Sequence, residues 1–544
     1  MAGLVVRAYL IATTVVVSRD SITFITYAKG LRTDPVGEMR QQAQHPLYPA
    51  TILAVHALVG RYLAPEPVHS WPLAGQMASL AGGLLAIGAC YALGKAMWNR
   101  RVGLIVAFFA AMLPDLCQLS ADALSDALHL GLYLWGLVAV IRAQQTNRMS
   151  SVCAVGVLAA LGFLTRPEGG TILAVGLAVV VASRSWKGLS WRRRAVAAGV
   201  MLLCFAVVAG PYMLTVGRLV RKKSLLDLFG LRDLAGVVAD GDTLGTVARV
   251  RCSAHGATQT EPSDAGRRSA GPSVEPCRTM ALASTVLPTT VLLLYQWVRA
   301  CRVVYLLLAI PCLRLRSVTR PNGLMPVFLA AAMHTVLLHA LHLSFGYLGR
   351  RHVLVLAALT LPFAAATFGW LVDQASGWLA SKHRVSGRLV RAVLHLLGGA
   401  TVVGPTLPWM VRPIGGGSAH LVAAGRWLHE HSRPGEMVLT YDSRIAYYAE
   451  RPMQTWPDTS TTDDLTRQIT DLKAVYFVME KPRDVGQERR RRFYEEFGAS
   501  PLRARLTLIY EQAHLAPPSP DKVLIFRIAQ PASAVSPLSR PDSR

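Results

Sequence analysis

Long apolar segments recur from the N-terminus to residue 411, and they constrain the fold of this chain more than any other feature. A bilayer core about 30 Å thick is crossed by roughly 20 mostly apolar residues in a helix. Only a helix satisfies all of its backbone hydrogen bonds within one such segment. The sequence therefore predicts ten to twelve transmembrane helices, with eleven as the best estimate. The predicted spans are 4–17, 72–97, 102–114, 124–141, 151–164, 169–183, 195–216, 300–313, 324–344, 352–372 and 388–411.

The first of these segments is the weakest, because it is short and contains Arg7. A cleaved signal peptide is therefore an alternative to a first membrane span. No clear small-residue cleavage site follows the segment, which favours the span.

The composition excludes several other classes of protein. Apolar residues make up 52% of the chain, too many for a disordered protein, and eight cysteines in 544 residues are too few for a disulfide-stapled secreted scaffold. The net charge of +25 would suit a nucleic-acid-binding protein only on a basic face of a soluble fold. In a membrane protein, Lys and Arg in short loops instead mark the cytoplasmic side. We therefore expect a cytoplasmic N-terminus, membrane lipids as partners, and no nucleic acid.

The predicted membrane domain covers residues 1–411 and includes a first outer loop at 18–71 and a polar outer loop at 218–281. After it, short apolar segments alternate with charged helical patterns, which predicts a small α/β domain over 412–530. Its predicted strands are 436–440, 474–480 and 523–528, and its predicted helices are 419–430 and 487–497. Eleven spans place this domain on the extracytoplasmic side. The Ser- and Pro-rich tail, 531–544, is predicted to be disordered.

Ionisable residues at the edge of the apolar zone are the informative ones in a membrane protein, because they are costly there and usually functional. Four polar clusters fall on the outer side of the predicted topology. They are residues 18–21 with Asp20; residues 41–49 with His45 and Tyr48; Asp115, Asp122 and Asp126 together with Arg166 and Glu168; and Arg350, Arg351 and His352. Each residue alone also fits an ordinary role, such as an Arg that reaches lipid head groups or an Asp that caps a helix. The convergence of an acid with a basic pair indicates a site.

The chemistry of such a site follows from its side chains. A carboxylate near the membrane surface can act as a general base on a hydroxyl group. Arg residues bind phosphate through bidentate, charge-assisted hydrogen bonds. A phosphate on a lipid tail lies at the same depth, because its tail stays in the bilayer. Asp20 with Arg350 and Arg351 therefore suits displacement of a lipid phosphate from a sugar carbon, with the Arg pair stabilising the charge on the leaving phosphate.

Four motifs in this order carry a resemblance to a known family: Arg19–Asp20, the segment 45–49, the Thr165–Glu168 motif and the Arg350–His352 motif. Over most of its membrane region the chain resembles GT-C class membrane glycosyltransferases, close to glycosyltransferase family 39. That family includes protein O-mannosyltransferases and bacterial lipid A aminoarabinose transferases. The resemblance implies a polyprenyl-phosphate sugar donor, a protein, lipid or glycan acceptor, and transfer on the outer face of a bacterial inner membrane.

The resemblance also implies roles for individual residues. Asp20 would be the catalytic base, Arg350 or Arg351 would bind the donor phosphate, and Arg166 and His352 would assist. The further candidates for the substrate pocket are His45, Tyr48, Asp122, Asp126 and Glu168. The mannosyltransferase branch has an Asp-Glu pair in the first outer loop, whereas Ser follows Asp20 here. That departure leaves the branch, and therefore the acceptor, open.

A divalent metal is a further possibility that the resemblance raises. Asp122 or Asp126 would be the second-loop acid of relatives, which is sometimes linked to a metal ion. Two carboxylates would suit Mg²⁺ or Mn²⁺. The sequence has no His and Cys cluster that demands a metal.

Two interpretations without catalysis stay open at this point. A transporter or flippase for a lipid-linked sugar also has many spans and intramembrane charges. It predicts charges in mid-span and symmetry between halves, whereas the acids here lie at one face and no internal repeat is visible. A membrane scaffold that carries the outer domain would make the clustering of Asp20, Arg166 and Arg350 accidental.

Overall fold

The computed structural model describes residues 2–60, 62, 66–217, 277–314, 323–345, 347–383, 386–456, 460–481, 488–513 and 522–529. Most of the predicted polar outer loop, 218–281, lies outside the described residues, and so does the predicted tail, 531–544. The described residues form a helical membrane part, which is followed by an α/β part.

The membrane part is built from helices of very different lengths. They are α1 (Ala2–Ala12), α2 (Arg19–Thr33), α3 (Pro35–Gln41), α4 (Leu47–Val55), α5 (Pro67–Met97), α6 (Arg100–Ala111), α7 (Pro114–Leu119), α8 (Asp126–Thr146), α9 (Met149–Thr165), α10 (Thr171–Ala182), α11 (Arg184–Lys187), α12 (Trp191–Val216), α13 (Cys277–Ala300), α14 (Val304–Arg314), α15 (Leu324–Phe345), α16 (Leu354–His383), α17 (Gly387–Val403) and α18 (Leu407–Met410). Helices α3, α5 and α7 begin with proline, whose fixed φ angle suits the first turn of a helix.

Six of the described helices are long and apolar enough to cross a membrane: α5, α8, α12, α15, α16, and α17 with its continuation to Met410. Helices α13 and α14 would add a seventh span if the pair, bent by 100°, counts as one. The predicted number of eleven is therefore not confirmed. The predicted spans 4–17, 102–114, 151–164 and 169–183 correspond to helices of 11, 12, 17 and 12 residues. At about 1.5 Å per residue these helices are shorter than the bilayer core.

The structure adds helices in two regions of the predicted membrane domain. The predicted first outer loop, 18–71, contains helices α2, α3 and α4, so it is largely helical. Asp34 separates two of these helices, because its carboxylate accepts a hydrogen bond from the Gly37 N–H and caps α3. The predicted span 300–313 begins at the bend between α13 and α14, and the apolar helix α13 before it was not predicted.

The α/β part contains a five-stranded sheet with the order β2-β1-β3-β5-β4. The strands are β1 (Val438–Thr440), β2 (Met453–Thr455), β3 (Tyr476–Lys481), β4 (Leu506–Ala513) and β5 (Lys522–Ile528). Strands β2, β1 and β3 are parallel, whereas β5 is antiparallel to both β3 and β4. The helices are α19 (Ala419–His431), α20 (Ser443–Ala449), α21 (Thr462–Asp471), α22 (Glu488–Ala499) and α23 (Pro501–Ala504). The predicted limits of this domain, 412–530, and its extracytoplasmic side stay predictions.

Helix α20 of the α/β part rests on the membrane part near the start of α5. The Lys29 ammonium of α2 lies 4.9 Å from the ring centre of Tyr447 and 5.7 Å from that of Trp71. The Tyr447 hydroxyl donates a hydrogen bond of 3.4 Å to the Val68 carbonyl. On the other side, His56 stacks on Trp71 at 3.8 Å. The α/β part therefore contacts α2, the helix that carries Asp20.

We expect Lys29→Met to weaken this contact by about 1 kcal/mol, because it removes a partly desolvated cation from two aromatic faces. Limited proteolysis of the purified protein should show faster cleavage near residues 411–419, which join the two parts. Lys382→Met is the matched control, since the Lys382 ammonium lies 5.0 Å from the Trp378 ring at the end of α16. Equal cleavage of both variants would contradict the role of Lys29.

Candidate active site

An ion pair joins the start of α2 to the turn before α16. Asp20 is the second residue of α2, and its carboxylate oxygen Oδ2 lies 2.5 Å from Nη1 of Arg351. The side chains are 48% and 32% exposed, respectively, so water reaches both. Burial lowers the pKa of Arg351, but Asp126 and Asp20 outweigh that effect and raise it. Arg351 is therefore a permanent cation beside the predicted base.

A second and more deeply buried ion pair lies beside the first. Arg166 follows the last residue of α9 in an extended conformation, and its Nη1 lies 2.5 Å from Oδ1 of Asp126, the first residue of α8. Glu168 lies 3.5 Å from the same guanidinium. The side chains of Arg166 and Asp126 are only 18% and 6% exposed. Burial lowers the pKa of Arg166, but the two carboxylates raise it by more.

These two ion pairs line one cavity. Asp20, His45, Asp126, Arg166 and Arg351 all contribute to its wall. Its volume of about 60 Å³ has room for a few water molecules, whereas ligand pockets usually hold about 300–1,000 Å³. In this conformation the cavity is therefore smaller than a usual ligand pocket.

We call the segment Pro114–Asp126 the acid loop. Its Asp side chains bind residues from different elements of the site. Asp122 lies in its middle and is almost fully buried. Its Oδ1 accepts hydrogen bonds from the Ser18 N–H (3.2 Å), the Ser21 hydroxyl (3.1 Å) and the Ala123 N–H (2.8 Å). Burial raises the pKa of Asp122, and these hydrogen bonds oppose the rise. Asp122 therefore holds the start of α2, just before and just after Asp20.

Asp115, at the other end of the acid loop, binds a different pair of Arg residues. Its Oδ1 lies 3.0 Å from Nη1 of Arg350 and 3.6 Å from Nη2 of Arg302. Burial raises the pKa of Asp115, and the Arg residues partly offset this. Arg302 lies at the bend between α13 and α14, where it and Val303 have φ angles of +51° and +58°. Arg350 thus forms an ion pair with Asp115. Of the predicted Arg pair, only Arg351 lines the cavity.

Arg302 was not among the predicted site residues, and Asp115 was named in a polar cluster without a role. Arg302 lies between two apolar helices, and its guanidinium is 5.1 Å from the Trp409 ring. The sequence signal that could have identified Arg302 is a cation that interrupts a long apolar stretch. The sequence could not show that this cation and Arg350 share one carboxylate.

Two further pocket candidates have different surroundings. The His45 ring lines the cavity and packs edge-on against Phe163, with 4.9 Å between ring centres. Tyr48 is fully buried and is not among the residues that line the cavity. Its hydroxyl hydrogen-bonds Ser79 at 2.7 Å, and Ser79 hydrogen-bonds both the N–H and the carbonyl of Leu124. Tyr48 therefore supports the acid loop through Ser79.

His352 follows Arg351, and its Nδ1 accepts a hydrogen bond of 3.0 Å from the Gly349 N–H. Burial and the nearby Arg166 and Arg351 lower the pKa of His352 to about 4. The ring is therefore neutral at neutral pH. Because Nδ1 is an acceptor here, the ring proton resides on Nε2, and His352 offers a neutral N–H donor.

The described residues do not fit the metal site that the sequence leaves open. Among them, no group of three or more His, Cys, Asp or Glu side chains could hold a metal ion. The Asp122 carboxylate already accepts three hydrogen bonds, and Asp126 is paired with Arg166. We therefore assign no step to a metal.

Comparison with known proteins defines the class of this fold. Residues 49–213, which are 165 of the 544 residues, match the family model for dolichyl-phosphate-mannose-protein mannosyltransferases. The membrane part has the fold of GT-C class glycosyltransferases, which confirms the predicted resemblance and the prediction of an integral membrane protein. No curated protein shows a significant sequence match to the chain.

Two solved structures give the particulars of this likeness. ArnT from Cupriavidus metallidurans, solved with undecaprenyl phosphate, is 14% identical with a TM-score of 0.52, and the match covers 96% of each chain. The archaeal oligosaccharyltransferase AglB from Archaeoglobus fulgidus, solved with an inhibitory peptide and a dolichol-phosphate, is 13% identical with a TM-score of 0.51. That match covers 80% of this chain and 61% of AglB, so the chain spans less than two thirds of AglB. These likenesses establish the fold.

We expect Asp126→Asn to lower the free energy of unfolding by about 3 kcal/mol, because it leaves a buried cation without its main partner. Glu168→Gln is the matched variant, and its effect should be smaller because that carboxylate is 3.5 Å away rather than 2.5 Å. Thermal unfolding midpoints in detergent compare the two. A larger loss for Glu168→Gln would reverse the assignment of Arg166's main partner.

Proposed function

We propose that the protein is a membrane glycosyltransferase that moves a sugar from a polyprenyl-phosphate donor to an acceptor hydroxyl on the outer face of a bacterial inner membrane. One observation carries the proposal: the Asp20 carboxylate and the Arg351 guanidinium lie 2.5 Å apart in the wall of one cavity. Such a pair supplies a base and a phosphate ligand at adjacent positions. The donor class is supported by the family match and by neighbours solved with undecaprenyl phosphate and dolichol-phosphate.

The proposed reaction is a single displacement at the sugar carbon. Asp20 accepts the proton of the acceptor hydroxyl while the hydroxyl oxygen forms a bond to that carbon. The bond from the carbon to the phosphate oxygen breaks on the opposite face, and the lipid phosphate leaves with the electron pair. Arg351 stabilises the negative charge that develops on this phosphate. The configuration at the sugar carbon is inverted.

The ion pair between Asp20 and Arg351 must open before this reaction. A donor phosphate offers the guanidinium more than one acceptor oxygen, so it competes with the single carboxylate contact. The exchange is inexpensive, because an ion pair with this much solvent exposure contributes only about 0–1 kcal/mol. Binding of the donor thus frees the Asp20 carboxylate to act as the base. Arg166 stays in place, because its ion pair with Asp126 is buried.

Asp20→Asn is expected to reduce the rate of transfer by about 10²–10⁴-fold, because the amide cannot accept the proton. The assay follows release of undecaprenyl phosphate from undecaprenyl-phosphate mannose in the presence of a membrane extract as acceptor. Asp34→Asn, at the other end of α2, is the control, since Asn also caps helices and the site is untouched. Full activity of Asp20→Asn in correctly folded protein would remove Asp20 from the mechanism.

Arg351→Lys is expected to raise the KM for the donor by about tenfold, because an ammonium cannot form the bidentate contact of a guanidinium. Arg350→Lys should leave this KM within about twofold of the wild-type value, since Arg350 forms an ion pair with Asp115. Initial rates over a range of donor concentrations separate KM from kcat. The reverse order of the two effects would move the phosphate site from Arg351 to Arg350.

A further inference from the structure

Arg7 is fully buried in the middle of α1, and it is not among the residues that line the cavity. Its Nε donates a hydrogen bond of 2.7 Å to the Ser120 hydroxyl. Its Nη1 donates to the carbonyls of Gly3 (2.8 Å) and Ala111 (2.9 Å). The Cys117 thiol of the acid loop also interacts with the guanidinium, and among the described residues no carboxylate forms an ion pair with it. A cation at this depth is costly and usually functional.

Two glycines provide the space for this guanidinium. A Cβ atom on Gly83 of α5 would overlap the Ser120 Cβ and lie 3.4 Å from the Arg7 Nε. A Cβ atom on Gly3 would lie 2.9 Å from the Ala111 Cβ and 3.2 Å from the Arg7 Nη1. The packing of α1, α5 and the acid loop is therefore shaped around Arg7. An Arg that only set membrane orientation would reach the head groups instead.

Ser120 belongs to the acid loop, so Arg7 fixes this loop from inside the membrane part. Two residues later, Asp122 accepts hydrogen bonds from the Ser18 N–H and the Ser21 hydroxyl. These two residues flank Asp20 at the start of α2. A continuous set of short contacts thus leads from Arg7 through Ser120 and Asp122 to the backbone that carries Asp20.

Gln76 of α5 makes a parallel connection. Its Nε2 donates hydrogen bonds of 2.9 Å to the Ala121 carbonyl and to the Thr14 hydroxyl. Thr14 lies in the connection between α1 and α2, and Ala121 lies between Ser120 and Asp122. The acid loop and the chain that leads to Asp20 are therefore tied together on both sides.

We propose that Arg7 is a positioning residue for Asp20, acting through Ser120 and the acid loop. Its effect on transfer rests on the proposed function, whereas its effect on the start of α2 does not. Arg7 makes no contact with reacting groups. It fixes the loop whose Asp122 sets the place of the base, and a small displacement of a catalytic group lowers the rate sharply.

The test uses the purified full-length protein and two readouts. Hydrogen–deuterium exchange without substrate reports on the backbone of residues 13–22, and the undecaprenyl-phosphate mannose assay gives kcat and KM. We expect Arg7→Met to speed exchange in this segment and to lower kcat by about tenfold or more with an unchanged donor KM. Arg7→Lys should restore part of kcat, because it keeps the charge. Val5→Met is the control, since Val5 lies on the exposed face of α1.

Ser120→Ala removes the hydrogen bond between Arg7 and Ser120 without changing α1. It therefore tests the proposal even if Arg7→Met does not fold. It should speed exchange in residues 13–22 and lower kcat in the same way. Unchanged exchange in Ser120→Ala, or faster exchange with unchanged kcat, would overturn the positioning role. A wild-type protein that transfers no sugar from any polyprenyl-phosphate donor would refute the proposed function alone, and exchange would still decide whether Arg7 positions the start of α2.

Discussion

The acid loop, Pro114–Asp126, is the constraint on which the rest of the site depends. Its three carboxylates are mostly buried, and an unpaired charge at this depth is strongly destabilising. Each carboxylate therefore binds a different element: Asp115 binds Arg350 and Arg302, Asp122 binds the start of α2, and Asp126 binds Arg166. One short segment thereby fixes the relative positions of α2, of the end of α9 and of the turn before α16.

The ion pairs in this site differ in solvent exposure. That difference distinguishes the pairs that hold the site together from the pair that takes part in the proposed reaction. The contacts of Asp122 and Asp126 are buried, so breaking either would leave a charge or a donor without a partner. The pair of Asp20 and Arg351 is partly exposed, and water can replace either partner at little cost. It is therefore the pair that a ligand can open. A rigid buried frame around one exchangeable ion pair is suited to binding an anion and releasing a base.

Part of this arrangement could be predicted from the sequence, because buried helices appear there as apolar segments and charged residues appear at their ends. The starts of the long apolar helices α5, α8, α12, α15 and α16 were predicted within five residues, whereas α16 continues to His383, beyond its predicted end at residue 372. Short helices such as α1 and α6 were predicted as full spans, because hydropathy does not show where a helix ends inside an apolar segment. The segment 18–71 was predicted as an outer loop, and it contains the short helices α2, α3 and α4. Short amphipathic helices depend on tertiary packing for their stability.

The sequence by itself determined the class of protein and the small set of polar residues that are costly in a membrane. It also indicated that Asp20 and the Arg pair converge. Only the tertiary structure decided which acid meets which cation, because the partners are 235 residues apart for Arg350 and Asp115 and 331 apart for Arg351 and Asp20. Neighbouring Arg residues with identical chemistry thus have different roles. The buried Arg7, whose segment also fitted a signal peptide, gained a role only from the packing of α1 against the acid loop.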